Sequence, residues 1–260
     1  MVVLKFSVMA IVSHPPMPHV FVINLKRRPD RLMAVRKCIL TPFEVVEAVD
    51  ARTLTWDSVS SFVTIRALKK SQRAESMRVP TVDHREQTLS DHLTLGAVAC
   101  AMSHRKTWHL VVERALPYAV ICEDDLDGAA MGFSDRMRAA LDTLPANWTL
   151  AYIGYHDGRC VVDTMRRFAF RAIGKTELLT GLFGYAVSSL GAKTLLDKTR
   201  RLHTQLDVQV ASMGIPAVYC PVQCQTLVTA PESGDSDVQT YAGQCDYRAH
   251  STLDGDWTFY

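Results

Sequence analysis

Short apolar runs rich in β-branched residues alternate with segments of helical spacing along most of this 260-residue chain. The first run, residues 19–25, ends in a polar turn, and Pro29 then suits the first turn of a helix over 32–39. Further strands are predicted at 43–49, 118–122, 148–154, 182–188, 218–222 and 225–228, and further helices at 96–114, 133–144 and 190–199. This alternation predicts an α/β fold with a mostly parallel central sheet and helices on both faces.

Other parts of the chain carry weaker patterns. Residues 51–90 are polar and basic, so we expect a surface excursion of moderate mobility, with one helix near 63–70. Ser189 is the expected N-cap of the helix over 190–199. The apolar run 2–12 is far shorter than the roughly 20 residues of a membrane span, so we expect a leading strand or an ordered tail. No firm structure is expected for 233–260.

Composition restricts the class of protein. Hydrophobic residues make up 48% of the chain and charged residues 22%, as in ordinary soluble globular proteins. The net charge of +2, with scattered basic residues, does not predict nucleic-acid binding. Seven cysteines, an odd number that lies partly within apolar runs, favour a reducing compartment. We therefore expect a cytoplasmic protein, and peripheral contact with a membrane is compatible with the sequence.

The strand at 118–122 ends abruptly in Glu123, Asp124 and Asp125. Ligands of parallel α/β sheets bind at the carboxyl ends of the strands, where these three carboxylates are expected to lie. Adjacent carboxylates repel one another, and a hard divalent cation such as Mn²⁺ or Mg²⁺ relieves that repulsion and also binds phosphates. The cluster thus predicts a cation site for a diphosphate, although a solvated acidic turn or a helix cap fits the same residues.

Several separate blocks of the sequence resemble glycosyltransferase family 25, and they occur in the family's order. They are Ile23-Asn24-Leu25 with Arg28 and Arg31, Ala48-Val49-Asp50, Gly96 with Ala101-Met102-Ser103-His104 and Trp108, residues 117–125, Gly184-Tyr185-Ala186-Val187-Ser188 with Gly191-Ala192-Lys193, Asp207, and Ser236-Asp237-Val238. The resemblance covers 19–238, within an expected single domain of residues 1–260 whose last segment, 239–260, is a tail. The family includes lipopolysaccharide and collagen galactosyltransferases.

This resemblance implies the GT-A fold and an inverting, metal-dependent transfer. The donor is expected to be a UDP-sugar, UDP-galactose or UDP-glucose, and the acceptor a saccharide or glycoconjugate. The sequence departs from the family at Ala97, where Glu is usual, at Ala99, where Gly is usual, and at Ala51 after Asp50. Ala97 matters most, because a lost carboxylate can be a lost functional group.

For the donor, the resemblance implies that Asn24, Leu25 and Arg28 hold the nucleotide at the end of the first strand. Arg28 or Arg31 is expected to meet the diphosphate in a fork, although both arginines also fit a solvated first helical turn, an interpretation that for Arg31 weighs as much as the first. Asp50 is a candidate acceptor for a hydrogen bond from uracil or ribose, or an ordinary turn residue.

For the chemistry, the resemblance implies that Asp125 ligates the cation with help from Glu123, and that Asp124 ligates it or orients its neighbours. Ser103 and His104 are expected to touch the donor or to stabilise the acidic loop, although His104 also fits a packed core residue, whereas Trp108 is expected only to pack. An inverting transfer needs a base for the acceptor hydroxyl. Asp207 is the first candidate, and Asp157 and Asp237 are the others.

Two other functions fit parts of the sequence. A metal-dependent phosphohydrolase also uses carboxylates at a strand end, but no matching nucleophile motif is present. A catalytically silent protein with the same fold would bind a sugar nucleotide or a partner without turnover. Ala97 favours this second alternative, and the intact acidic triplet opposes it, since buried carboxylates are costly without a cation.

Overall fold

The computed structural model describes residues 18–79, 92–156, 169–174, 178–222 and 226–230, Val238, and the backbone of 82–83, 88–89 and 258–259. The predicted N-terminal segment 2–12 and the candidate bases Asp157 and Asp237 lie outside these residues.

In the described part, the chain forms twelve strands and six α-helices. The strands are β1 (His19–Asn24), β2 (Glu44–Glu47), β3 (Val82–Asp83), β4 (Thr88–Leu89), β5 (Tyr118–Glu123), β6 (Gly128–Ala129), β7 (Leu150–Gly154), β8 (Phe170–Ala172), β9 (Gly184–Ser188), β10 (Val218–Pro221), β11 (Val228–Thr229) and β12 (Thr258–Phe259). The helices are α1 (Pro29–Cys38), α2 (Ile65–Ser76), α3 (Leu95–Glu113), α4 (Phe133–Leu141), α5 (Ser189–Lys198) and α6 (Leu206–Ser212), with a 3₁₀ turn at Ala51–Thr53.

Seven strands build the central sheet in the order β2-β1-β5-β9-β7-β10-β8. Neighbouring strands are parallel from β2 to β5 and from β7 to β10, while β9 and β8 run antiparallel to their neighbours. Five of the seven strands therefore share one direction, which confirms the mostly parallel sheet. Two small sheets, β11-β6 and β12-β4-β3, lie beside it.

Alternate residues of the sheet strands pack into two hydrophobic cores, one on each face of the sheet. Phe21 and Ile23 of β1 point to one core with residues of α2, α3, α5 and α6, whereas Val20 and Val22 point to a second core with residues of α1 and α4. A strand exposes successive side chains to opposite faces, so a continuous apolar run such as β1 requires cover on both. Helices on both faces are thus confirmed.

The structure corrects two expectations and adds several short elements. The segment 51–90 is not only a surface excursion, because Val59, Val63 and the inner face of α2 are buried. The N-cap of α5 is Ser188 rather than Ser189, since the Ser188 hydroxyl accepts the Gly191 N–H at 3.0 Å. The 3₁₀ turn, helix α6 and strands β3, β4, β6, β8 and β12 were not predicted. None of the described helices combines the length and apolarity needed to cross a membrane.

Candidate functional site

The functional residues predicted from the sequence meet largely at one edge of the sheet. Strands β2, β1 and β5 are parallel neighbours, so their carboxyl ends lie side by side. Each end continues into residues that line an open cleft of about 550 Å³, a figure that includes the solvent at its mouth. The N-terminal half of α3 forms another wall through Gly96, Ala99, Ser103 and His104. This is the position at which α/β sheets bind ligands.

Asp124 is the best-connected carboxylate of the cleft. Its Oδ2 accepts hydrogen bonds from Asn24 Nδ2 at 2.6 Å and from the Leu25 N–H at 3.4 Å. Its Oδ1 accepts one from Arg31 Nη1 at 3.1 Å. Burial raises the pKa of Asp124, and the Arg31 guanidinium and the Asn24 amide oppose that rise. With both oxygens occupied, Asp124 ties the end of β1 to the end of β5, and this geometry favours the orienting role of the two that the sequence left open.

Replacing Asp124 with Asn should therefore lower the stability of the fold. Three donors converge on two carboxylate oxygens, and an amide offers one acceptor oxygen in their place. We expect the free energy of unfolding to fall by about 2 kcal/mol, because the burial cost saved by removing a charge offsets part of the loss. Urea unfolding measures the effect, and Asp127→Asn, at an exposed position two residues beyond the cluster, serves as the control. Equal stability of both variants would contradict the orienting role.

Glu123 joins the cleft to the core. Its Oε1 lies 3.0 Å from His104 Nε2, and His104 Nδ1 lies 2.9 Å from the hydroxyl of Tyr185. Burial opposes ionisation of Glu123, but the hydrogen bond from His104, with His156 and Arg31 nearby, lowers its pKa below the ordinary 4.5. Glu123 is thus a stable carboxylate with an anchored side chain.

Asp125 has the opposite character. Its Oδ1 is buried and has no hydrogen-bond partner among the described residues. Burial and the neighbouring charge of Glu123 raise the pKa of Asp125 from 3.8 to about 7. A buried, unpartnered carboxylate oxygen beside an ionised carboxylate is unfavourable by itself, and a bound cation removes both defects. Glu123 and Asp125 therefore fit a hard divalent cation.

The basic residues at the end of β1 divide into different roles. Arg31 reaches Asp124, whereas Arg28 forms an ion pair with Asp30 at 3.0 Å and does not line the cleft. Arg27, which the sequence did not single out, lines the cleft and lies 3.0 Å from Asp50. Because the chain turns directly after β1, neighbouring side chains point in different directions, and spacing alone could not tell Arg27 from Arg28.

Ser103 and Asp50 shape the loop that follows β2. The Ser103 hydroxyl accepts the Val49 N–H at 2.8 Å and donates to the Ala99 carbonyl at 2.7 Å, so it fastens this loop to α3. Asp50 accepts the Arg52 N–H at 3.0 Å and thereby caps the 3₁₀ turn. Ala97 packs in the hydrophobic core and is not part of the cleft lining.

Asp207 is not among the residues that line the cleft. It sits in the first turn of α6, where its Oδ2 accepts the Gly181 N–H at 3.0 Å and its Oδ1 accepts the Val208 N–H at 2.8 Å. Its charge, with those of the acidic triplet, reaches Cys100 in the cleft wall, where burial first and these charges second raise the thiol pKa. Asp207 and the acidic triplet thus act electrostatically on the same residue of the cleft wall.

His156 is a further candidate that the sequence analysis missed. It is exposed, lies two residues after the end of β7, and packs its ring against Phe183 at 5.0 Å between centroids. Its proximity to Glu123 contributes to the lowered pKa of that carboxylate. The signal was its place after a strand that ends at the same edge of the sheet as β5.

The fold and the cleft are those of an α/β protein that binds its ligand at the carboxyl edge of a mostly parallel sheet, and the comparison with known families gives the class. Residues 17–210 match the profile of "Glycosyltransferase family 25 (LPS biosynthesis protein)". This protein therefore belongs to glycosyltransferase family 25. Membership favours glycosyl transfer over the phosphohydrolase alternative.

Curated relatives carry both active and inactive names. The chain is 28% identical over 186 residues to procollagen galactosyltransferase 1-A of Xenopus laevis, covering 68% of this chain and 28% of that protein. It is 26% identical over 212 residues to procollagen galactosyltransferase 2 of Mus musculus, covering 72% and 31%. It is 33% identical over 160 residues to a "probable inactive glycosyltransferase 25 family member 3" of Bos taurus, covering 55% and 24%. The matched part thus spans less than a third of each of these relatives.

Proposed function

We propose that this glycosyltransferase transfers a hexose, galactose or glucose, from a UDP-sugar to a saccharide or glycoconjugate acceptor with inversion at the anomeric carbon. The observation that carries the proposal is the unpartnered, buried Oδ1 of Asp125 beside the ionised Glu123. These two carboxylates would hold Mn²⁺ or Mg²⁺. The cation, when bound, would supply Lewis-acid stabilisation of the charge that develops on the departing UDP.

The remaining lining suits a nucleotide. Leu25, Val49, Ala51 and Ala99 offer apolar and small surfaces to a base or ribose, and the Asp50–Arg27 pair supplies polar groups at the rim. Arg27 and Arg31 bring positive charge to the side of the cleft where a diphosphate would meet Glu123 and Asp125. Asn24 supports this arrangement through Asp124 rather than through the nucleotide itself.

Asp207 is the proposed base for the acceptor hydroxyl. It is a carboxylate on a different element whose charge reaches the same cleft-wall residue, Cys100, as the charges of the acidic cluster. Its two backbone hydrogen bonds fix its orientation, so the carboxylate would be preorganised before the acceptor binds.

The proposal is tested by titrating UDP into the protein in a calorimeter with Mn²⁺ and then with a chelator. We expect binding with Mn²⁺ and its loss when the chelator is added, followed by hexose transfer when UDP-galactose or UDP-glucose is supplied with saccharide acceptors. No UDP binding under either condition would overturn the proposal.

The second candidate function is a catalytically silent protein with the same fold, and two observations favour it. Ala97 stands where the family usually has Glu, and one relative at 33% identity is named as probably inactive. The structure reduces the weight of the first observation, since Ala97 lies in the core and the cleft carboxylates are in place without it. Cation-dependent UDP binding without transfer to any acceptor would support this alternative.

A further inference from the structure

A buried chain of hydrogen bonds runs from the core to the cleft. Trp108 Nε1 donates to the Tyr185 hydroxyl oxygen at 2.8 Å, and that hydroxyl lies 2.9 Å from His104 Nδ1. His104 Nε2 lies 3.0 Å from Oε1 of Glu123. Trp108 and Tyr185 have no exposed surface, and His104 is 1% exposed. The chain links α3 and the central strand β9 to the last residue of β5.

The donors in this chain fix where the imidazole proton lies. An indole N–H can only donate, so Trp108 uses the Tyr185 oxygen as an acceptor. The Tyr185 O–H is buried and needs an acceptor of its own, and among the described residues His104 Nδ1 is the acceptor within reach. Nδ1 must then be unprotonated. The proton of the neutral ring therefore lies on Nε2, which donates to Glu123.

Other proton arrangements leave the Tyr185 hydroxyl unsatisfied. Cys100, His104 and Glu123 hold potential metal-ligand atoms within 4.8 Å of one another, which suggests a site for a softer metal. Ligation through Nε2 would move the ring proton to Nδ1, and the Tyr185 O–H would lose its acceptor in a fully buried position. A doubly protonated imidazolium would have the same effect. The geometry favours His104 as a hydrogen-bond donor rather than a metal ligand.

We propose that Tyr185 is a positioning residue of the donor site: its hydroxyl holds His104 in the Nε2–H form, which fixes Oε1 of Glu123 and leaves Oε2 for the cation. Among the described residues, no hydrogen bond occupies that Oε2. A metal ligand whose other oxygen is already anchored loses less freedom when the cation binds, and removing such a partner costs roughly 10- to 100-fold in metal affinity. This inference rests on the proposed cation role of Glu123.

The first test measures Mn²⁺ affinity in the presence of UDP, by electron paramagnetic resonance of free Mn²⁺. We expect Tyr185→Phe to weaken Mn²⁺ binding by about tenfold. Tyr152→Phe is the matched control, because Tyr152 lies opposite Tyr185 on β7 and is 1% exposed. Among the described residues, its hydroxyl donates only to the Leu179 carbonyl, at 3.2 Å. Unchanged affinity in Tyr185→Phe, or an equal loss in both variants, would overturn the positioning role.

A second pair of variants tests the donor at position 104. The side-chain amide of His104→Gln can keep an N–H directed at Glu123, whereas His104→Ala removes it. We expect the Gln variant to retain Mn²⁺ affinity within about threefold and the Ala variant to lose about tenfold or more. Equal losses would exclude donation from Nε2. This pair tests donation from Nε2, on which the role of Tyr185 depends, even if Tyr185→Phe does not fold.

The proton itself is observable without metal. Long-range ¹⁵N–¹H spectra of the metal-free protein, assigned with His104→Gln, should show an unprotonated Nδ1 and a protonated Nε2 for His104. A proton on Nδ1 would overturn the inference. If the wild-type protein shows this ring state but binds no Mn²⁺ with UDP, the proposed function and the positioning role both fail. If it binds Mn²⁺ and Tyr185→Phe binds equally well, only the positioning role fails.

Discussion

Replacing Asp125 with Asn should abolish cation-dependent UDP binding while it stabilises the metal-free protein. Loss of a partner that merely orients a metal ligand costs about 10- to 100-fold in affinity, so loss of the ligand itself should cost at least about 100-fold. Calorimetry with UDP and Mn²⁺ measures this loss. Asp124→Asn is the matched control, because the adjacent carboxylate of Asp124 already accepts hydrogen bonds from Asn24, Leu25 and Arg31. A comparable loss of UDP affinity in both variants would contradict the separate roles of the two carboxylates.

The stability effect of Asp125→Asn should depend on pH. The folded state raises the pKa of Asp125 from 3.8 to about 7. Below the unfolded value both states hold the proton, so Asp125 costs nothing. As pH rises from 3.8 to about 7, Asp125 ionises first in the unfolded state. The free energy of unfolding of the wild-type protein therefore falls, by up to roughly 4 kcal/mol above pH 7. The variant lacks this ionisation.

Thermal unfolding with a chelator at pH 5 and pH 8 measures the difference. The melting temperature of Asp125→Asn should exceed that of the wild type by more at pH 8 than at pH 5. Adding Mn²⁺ and UDP should stabilise the wild type and leave the variant unchanged. If the wild type is the more stable protein at pH 8 without metal, the unpartnered Oδ1 has another partner in solution, and the cation argument loses its basis.

Asp207→Asn should give the second large effect, this time on the rate of transfer. A positioned general base contributes about 100- to 10,000-fold, so kcat should fall by at least about 100-fold. UDP and Mn²⁺ affinities should stay within about threefold of wild type, because Asp207 does not line the nucleotide cleft. Initial rates with saturating donor and acceptor, beside calorimetry with UDP, separate the two effects. Asp197→Asn, at an exposed position on α5, is the control.

Two outcomes would count against Asp207 as the base. A kcat close to wild type would transfer the role to another group, with Asp157 and Asp237 as the remaining sequence candidates. A parallel loss of UDP affinity would instead assign Asp207 to support of the 178–182 loop, since it accepts the Gly181 N–H there. Asn keeps one acceptor oxygen for the bond from the Gly181 N–H. A purely structural role therefore predicts a smaller fall in kcat than the loss of a general base does.

The local parts of the fold were predictable because each leaves a periodic signal. The buried strands β1, β5 and β7 appear as short apolar runs, and α3 appears as a long segment with small and apolar residues at its packing positions. Helix α6 has seven residues and no side-chain cap, so its signal was too short to recognise. The error at the cap of α5 was one residue, because Ser188 and Ser189 carry the same hydroxyl.

For the site, the sequence by itself determined the position of the acidic triplet at a strand end and, through the family motifs, the set of residues around it. It could not determine what each carboxylate does, because Glu123, Asp124 and Asp125 are chemically alike and adjacent. Only the tertiary structure decided that the Asp124 carboxylate accepts hydrogen bonds from Asn24 and Arg31. It also decided that Asp125 has a buried oxygen without a partner among the described residues.

The buried chain behind Glu123 shows the same division. The sequence gives His104 and Trp108 one helical turn apart, while Tyr185 lies 77 residues beyond Trp108 on an antiparallel strand. Their hydrogen bonds exist because β9 pairs with β5 and α3 covers that face of the sheet. Roles that depend on a partner distant in sequence are set by packing, whereas the kinds of residue available are set by the chain itself.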